Sequence, residues 1–124
     1  MRMKIMASMA VLGIATVSAT PALANSSNGE TLFKQRCQMC HTNKPGARSG
    51  AGPNLSGLSG RTAGTSEGFR YSKKLAASGI KWNQKTLNKF LTSPNKMVPG
   101  TRMVVSIPNE EQRKAVVHYL LTGK

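Results

Sequence analysis

The chain has 124 residues, room for one domain of ordinary size. It carries 18 Lys and Arg against 4 Asp and Glu, a formal charge of +14. With so few acids, two of them adjacent at Glu110 and Glu111, paired-carboxylate acid/base chemistry has little to be built from. The first residues read as an export leader. Arg2 and Lys4 make a basic start, Ile5 to Val17 an apolar run, and Ala22-Leu23-Ala24 a small-residue cleavage site. That run is shorter than the roughly 18–20 residues a membrane span requires. The pattern predicts a signal peptide over residues 1–24, cut after Ala24, and a mature domain over 25–124; retention of the leader as an anchor is the alternative. Cleavage removes Arg2 and Lys4 and leaves a charge of +12 on 100 residues.

A third of the apolar residues lie in that leader, so the remainder is poorer in apolar side chains than most domains. A domain near this size with a thin core normally adds a staple. The two cysteines, Cys37 and Cys40, are three apart, and closing so small a loop constrains the unfolded chain little. Something other than a disulfide has to fill the core.

In chain order, the spacing of Leu32, Phe33, Cys37 and Cys40 predicts a helix running to about Cys40, capped by Ser26, Ser27 or Asn28. From Thr42 to Arg70 periodicity disappears. Those 29 residues include seven glycines together with Pro45 and Pro53, a loop long enough to demand a job such as wrapping a bulky ligand. Tyr71 to Ala77 reads as a short helix ended by Ser78-Gly79. Asn83 caps a helix carrying Leu87, Phe90 and Leu91, stopped at Ser93 by Pro94. Met97 to Ile107 reads as a loop. A last helix starts at Asn109, with Gln112 placed for a capping box, and ends at Gly123. No alternating run of strand length is present, so the expected fold class is all-α with long loops.

Cys37-Gln38-Met39-Cys40-His41 is C-x-x-C-H, the attachment pattern of a c-type haem. Two thiols three apart at a helix end can bond one edge of a porphyrin, and the next residue, His41, can then turn under the ring to bind iron. Three other readings compete. A thioredoxin-like dithiol calls for a helix N-terminus, where the dipole lowers the thiol pKa. A zinc site using Cys37, Cys40, His41 and His118 would need two adjacent ligands, which the usual spacings lack. A plain disulfide is the third.

The chain resembles a class I cytochrome c, of the mitochondrial type and its bacterial periplasmic relatives, over nearly all of residues 29–122. The matching blocks are Gly29 to Phe33, CQMCH, Gly52-Pro53-Asn54-Leu55, Gly57 to Arg61, Gly68 to Ser72, Gly79 to Trp82, Pro99-Gly100-Thr101-Arg102-Met103 and Tyr119-Leu120. The resemblance implies three main helices plus short helices and long loops around one haem, covalently held by Cys37 and Cys40. It implies His41 and Met103 as the axial metal ligands. By spacing alone Met97 and Met103 compete for that role, while Met39 lies inside the attachment loop; the PGTRM block favours Met103. The resemblance further places Pro53 as the acceptor behind the ligand imidazole, Arg61, Tyr71 and Trp82 at the haem propionates with Thr101 beside them, and Gly29 at a close helix crossing against Tyr119. His118 falls off the apolar stripe of its helix and reads as a surface residue.

Departures from the family pattern are Phe90 and Leu75, where a tyrosine and an asparagine are usual, Val105 in place of an aromatic, and one residue deleted before Ile107. They imply a more apolar pocket on the methionine side. The function implied is one-electron shuttling between membrane redox complexes, with no catalytic residue. A cytochrome bc complex would be the donor and a terminal oxidase, peroxidase or reaction centre the acceptor. Lys34, Arg36, Arg48, Lys96 and Arg102 would ring the docking face of a periplasmic monomer. Nucleic acid is disfavoured, since the six aromatics fall mostly at family core positions and leave no stacking platform. The rival functions are a haem enzyme or ligand-binding cytochrome with an open sixth position, and a non-haem thiol oxidoreductase.

Overall fold

The computed structural model describes residues 28–124; the proposed leader, its cleavage after Ala24, and the candidate caps Ser26 and Ser27 lie outside the described residues. Asn28 starts helix α1 (Gly29–Arg36), its side-chain oxygen accepting from the Thr31 N–H at 3.1 Å. The helix is shorter than its periodicity predicts. At Phe33 the ladder widens as the helix ends, the carbonyl accepting from both Cys37 (2.8 Å) and, one residue further on, Gln38 (2.9 Å), and Cys37–Cys40 becomes a turn. The two cysteines of this turn have different surroundings: Cys37 is buried and Cys40 exposed.

The glycine-rich stretch that follows contains no helix. Asn54, nearly buried, ties it together. Its amide donates to the carbonyls of Lys44 (2.9 Å) and Ala47 (2.8 Å), and its oxygen accepts from the Ser56 N–H (2.8 Å). The end of the stretch is pinned to residues 80–82 through Gly60 to the Trp82 carbonyl (2.8 Å), Ala63 to the Ile80 carbonyl (2.6 Å), and Trp82 to the Arg61 carbonyl (2.9 Å). A single isolated bridge, Thr62 to Lys81, is the only β-type pairing among the described residues.

Ser72 caps the one-turn helix α2 (Lys73–Ala76). Helix α3 (Gln84–Thr92) opens on a full capping box. Thr86 N–H donates to the Asn83 side chain (3.0 Å), and Asn83 N–H donates to the Thr86 hydroxyl (2.9 Å). Pro94 stops that helix as expected but also starts another, α4 (Pro94–Met97), in a stretch to which the sequence reading gave no element before the loop at Met97. Proline's fixed φ and missing N–H suit a first helical position as well as they forbid a central one. Helix α5 (Glu110–Thr122) is capped by Asn109, whose oxygen accepts from the Gln112 N–H (2.9 Å). It ends where Gly123 takes a left-handed φ of 74° and returns its N–H to Tyr119 (2.7 Å).

Packing follows the apolar faces. Leu87, Phe90 and Leu91 of α3 meet Val116 and Val117 of α5, with Leu58, Ala63, Trp82, Val98 and Ile107 completing the core. Helix α1 crosses α5 beside a smaller cluster of Phe33, Cys37 and Tyr119, with the Phe33 and Tyr119 rings 5.5 Å apart. No helix among the described residues is long and apolar enough to cross a membrane.

Candidate haem site

All nine residues singled out from the sequence line one cleft. Cys37, Cys40 and His41 come from the turn after α1, Pro53 and Arg61 from the glycine-rich stretch, and Tyr71 from the segment before α2. Trp82 comes from the segment before α3, and Thr101 and Met103 from the loop between α4 and α5. The cleft encloses about 1270 Å³ of space, its open mouth included. Its walls are largely apolar, with Leu58, Leu75, Leu87, Phe90, Leu91 and Leu120.

His41 is held from behind. Its Nδ1 lies 2.8 Å from the Pro53 carbonyl. A carbonyl only accepts, so Nδ1 carries the proton and Nε2 keeps its lone pair for a metal. Burial lowers the imidazole pKa below its ordinary value, opposed by the Pro53 bond, so the neutral ligating form is favoured. Gly52 makes this packing possible: a Cβ there would lie 2.6 Å from Nδ1 and 2.8 Å from Nε2 of the ring.

The cysteines do not form a disulfide. Burial pushes the Cys37 thiol pKa up, only partly offset by Arg36, which is the reverse of what a nucleophilic dithiol requires. No three His, Cys, Asp or Glu side chains converge to hold a metal ion among the described residues, and His118 is exposed on α5. The zinc reading has no site among the described residues, and the surroundings of Cys37 are unlike those of an activated thiol. The donor set does fit a haem: a thiol pair at the cleft edge, a neutral imidazole, and a thioether inside an apolar slot.

The methionines separate cleanly. Met39 is 87% exposed, Met97 packs against the hydrophobic core outside the cleft, and Met103 alone of the three lines it.

The remaining predicted residues have contacts the sequence did not disclose. Arg61 donates from Nη1 to the Ser56 carbonyl and from Nη2 to the Asn54 carbonyl, both at 2.9 Å, so it also braces the loop. The Tyr71 hydroxyl accepts from the Ser66 N–H (3.1 Å) and keeps its own proton to donate, while its ring packs edge-on against Phe69 (4.8 Å). Trp82 is buried against Phe90, ring centres 5.1 Å apart, and Thr101 is buried. Asn54 was passed over as a structural residue. A lone polar residue in a glycine-rich run carries no periodic signal, and only its place inside the Gly52–Leu55 block marked it.

Of the cations expected around the mouth, Arg36 and Arg102 line the cleft, and Arg102 is steadied by a bond to the Arg70 carbonyl (3.1 Å). Lys96 and Arg48 lie outside the lining. Lys34 is paired with Glu30 at 2.6 Å, a bond that raises its pKa and leaves it less free charge than the sequence reading gave it. Phe90, Leu75 and Val105, the departures noted above, all face the cleft.

The family model for cytochrome c matches residues 26–124. The chain is 43% identical over 93 residues to cytochrome c2 of Rhodoblastus acidophilus, covering 74% of this chain and 86% of that protein. It is 40% identical over 116 residues to cytochrome c2 of Rhodomicrobium vannielii, covering 91% and 92%. It is also 40% identical over 97 residues to cytochrome c of Nigella damascena, covering 77% and 87%. With Cys37 and Cys40 spaced for covalent haem c and these likenesses running nearly end to end, the chain belongs to the cytochrome c family and is an electron carrier rather than an enzyme.

Proposed function

We propose that this chain shuttles single electrons between membrane redox complexes of respiration or photosynthesis in the periplasm. A cytochrome bc complex is the donor, and a terminal oxidase, peroxidase or reaction centre the acceptor. The observation that carries the reading is the placement of His41 and Met103 in one apolar cleft, because a carrier requires both axial positions filled by ligands that stay put. When bound, haem c supplies the reversible ferric/ferrous couple.

The chain's own residues supply the rest. Cys37 and Cys40 would hold the haem through two thioether links. Pro53 fixes the plane of the His41 ring. Met103 contributes a soft thioether, which favours the reduced state and raises the potential. Arg61, Tyr71 and Trp82 hold the propionates, with Thr101 beside them. Phe90 and Leu75 keep water from the methionine side. The export pattern of residues 1–24 supports the periplasmic location.

The test is a visible spectrum, oxidised and then dithionite-reduced, on protein matured with haem-attachment machinery and afterwards denatured. Sharp low-spin reduced bands, with haem retained on the unfolded chain, are expected. A high-spin spectrum would overturn the second axial ligand, and a colourless protein would overturn the attachment.

The cations at the cleft mouth, Arg36 and Arg102, face where a redox partner must approach, and Lys96 on α4 is exposed. Charge reversal at Arg36 or Arg102 is expected to slow electron transfer to an acidic partner by about tenfold at low salt. The effect should shrink as the screening length falls from ~30 Å at 0.01 M to ~10 Å at 0.1 M. Lys85→Glu on α3, outside the cleft lining, is the comparison. Rates indifferent to salt and to charge reversal at Arg36 and Arg102, or slowed as much by Lys85→Glu, would remove steering from the proposal.

A further inference from the structure

The loop that bears Met103 is hydrogen-bonded at both ends and, among the described residues, nowhere between, where only the packing of Met103 on the core holds it. At its start, Gly100 N–H donates to the Asn95 side chain (2.9 Å), Thr101 N–H to the Val98 carbonyl (3.1 Å), and Arg102 to the Arg70 carbonyl (3.1 Å). Residues 103–106 make no hydrogen bond to another described residue, and Val104 and Val105 are exposed. The loop is caught again at Ile107, which is 1% exposed and donates its N–H to the Leu91 carbonyl of α3 at 2.7 Å.

One side chain closes that second fastening. Arg113, on the first turn of α5, donates from Nη1 to the carbonyls of both Ile107 and Pro108 (3.0 Å each). It donates from Nε to the Asn88 side chain of α3 (2.8 Å). A planar guanidinium can hold three acceptors in fixed directions at once; an ammonium on a flexible stem cannot hold the same set. Arg113 thus joins α5, α3 and the end of the loop at one point, and the strand of chain it closes is the one that must keep Met103 in the cleft.

We propose that Arg113 is a positioning residue for the sixth ligand, setting how far the Met103 loop can swing out and so how readily an external ligand replaces the thioether. The proposal rests on Met103 being that ligand. Bonds to a charged donor are the stronger class, and losing three of them at one anchor favours the open loop. Bonds made equally in closed and open loops would contribute nothing, so the effect measures the part of the clamp that opening breaks.

The experiment uses the haem-loaded protein, comparing wild type with Arg113→Gln, Arg113→Lys, Asn88→Ala and Met103→Ala. Imidazole affinity of the ferric form and the weak sulfur-to-iron charge-transfer band are measured, alongside the denaturant midpoint. Arg113→Gln is expected to bind imidazole about tenfold more tightly and to weaken the band. Arg113→Lys should recover part of both, and Asn88→Ala should shift both in the same direction by less. A lowered midpoint with wild-type imidazole affinity and band would make Arg113 a structural clamp only and overturn the proposal. Should Arg113→Gln fail to fold, Asn88→Ala decides by the same two readouts. A band that survives in Met103→Ala would instead overturn the ligand assignment on which the inference stands.

Discussion

Met103→Ala in the haem-loaded protein is expected to bind carbon monoxide when reduced and imidazole when oxidised, and to lose its low-spin spectrum in the absence of either. The reason lies in what else faces the cleft. Apart from the cysteines, His41 and Met103, its lining offers no further histidine, methionine or lysine side chain among the described residues. Met97 is committed to the core and His118 is exposed on α5, so neither stands ready as a substitute. Phe90, Leu75 and Val105 are apolar where they face the cleft and have no ligating atom to offer. With Met103 as the sixth ligand, an external ligand must first displace the thioether. Removing it should therefore raise imidazole affinity by well over about tenfold, each decade being 1.4 kcal/mol. Loss of the soft sulfur should also lower the reduction potential. Ligand titrations followed in the visible spectrum, with a redox titration, check both. Unchanged bands in the variant would place the sixth ligand elsewhere.

What could be read before the structure was local chemistry and capping. C-x-x-C-H is legible because the spacing is the chemistry. Asn83, Asn109 and Gly123 are legible because a cap acts within four residues of its own position. The helix signal overran to Cys40 because the cysteines continue the helical spacing, although the backbone there has left the helix for a turn. Helix α4 was hidden because Pro94 carries the same letter whether it ends a helix or starts one.

Contacts made through backbone atoms were the least visible. The Pro53 carbonyl behind His41 was reachable only through family resemblance, since no side chain announces it. The bonds of Arg61 to the Asn54 and Ser56 carbonyls, and of Arg113 to those of Ile107 and Pro108, leave no pattern in the letters either. Placing all nine site residues in one cleft was a matter of resemblance, because they come from segments far apart in the chain with nothing periodic to connect them.

Gly29→Ala is expected to cost about 2–3 kcal/mol of stability, against the sign that helix propensity gives. Alanine in a helix is favoured over glycine by ~1 kcal/mol, so a reading of α1 in isolation predicts stabilisation. The crossing with α5 decides otherwise. A Cβ at residue 29 would collide with the Ala115 carbonyl oxygen and lie 2.7 Å from the Tyr119 Cβ. Neither is the far end of a flexible side chain, so relief requires the two helices to move apart. That movement loosens the Phe33–Tyr119 ring contact and the hydrogen bond from the Asn43 amide to the Tyr119 hydroxyl (2.9 Å). Overpacking of this kind costs ~1–3 kcal/mol or more. In a domain of about this size 1 kcal/mol shifts the melting temperature by roughly 4–8 °C, so a fall of about 10 °C or more is expected. Gln35→Ala, on the exposed face of the same helix, should stay within about 0.5 kcal/mol of wild type. Gly29 does not line the cleft, so the visible bands of the folded variant should remain those of the wild type. A Gly29→Ala protein as stable as its parent would mean that α1 and α5 do not meet at this glycine.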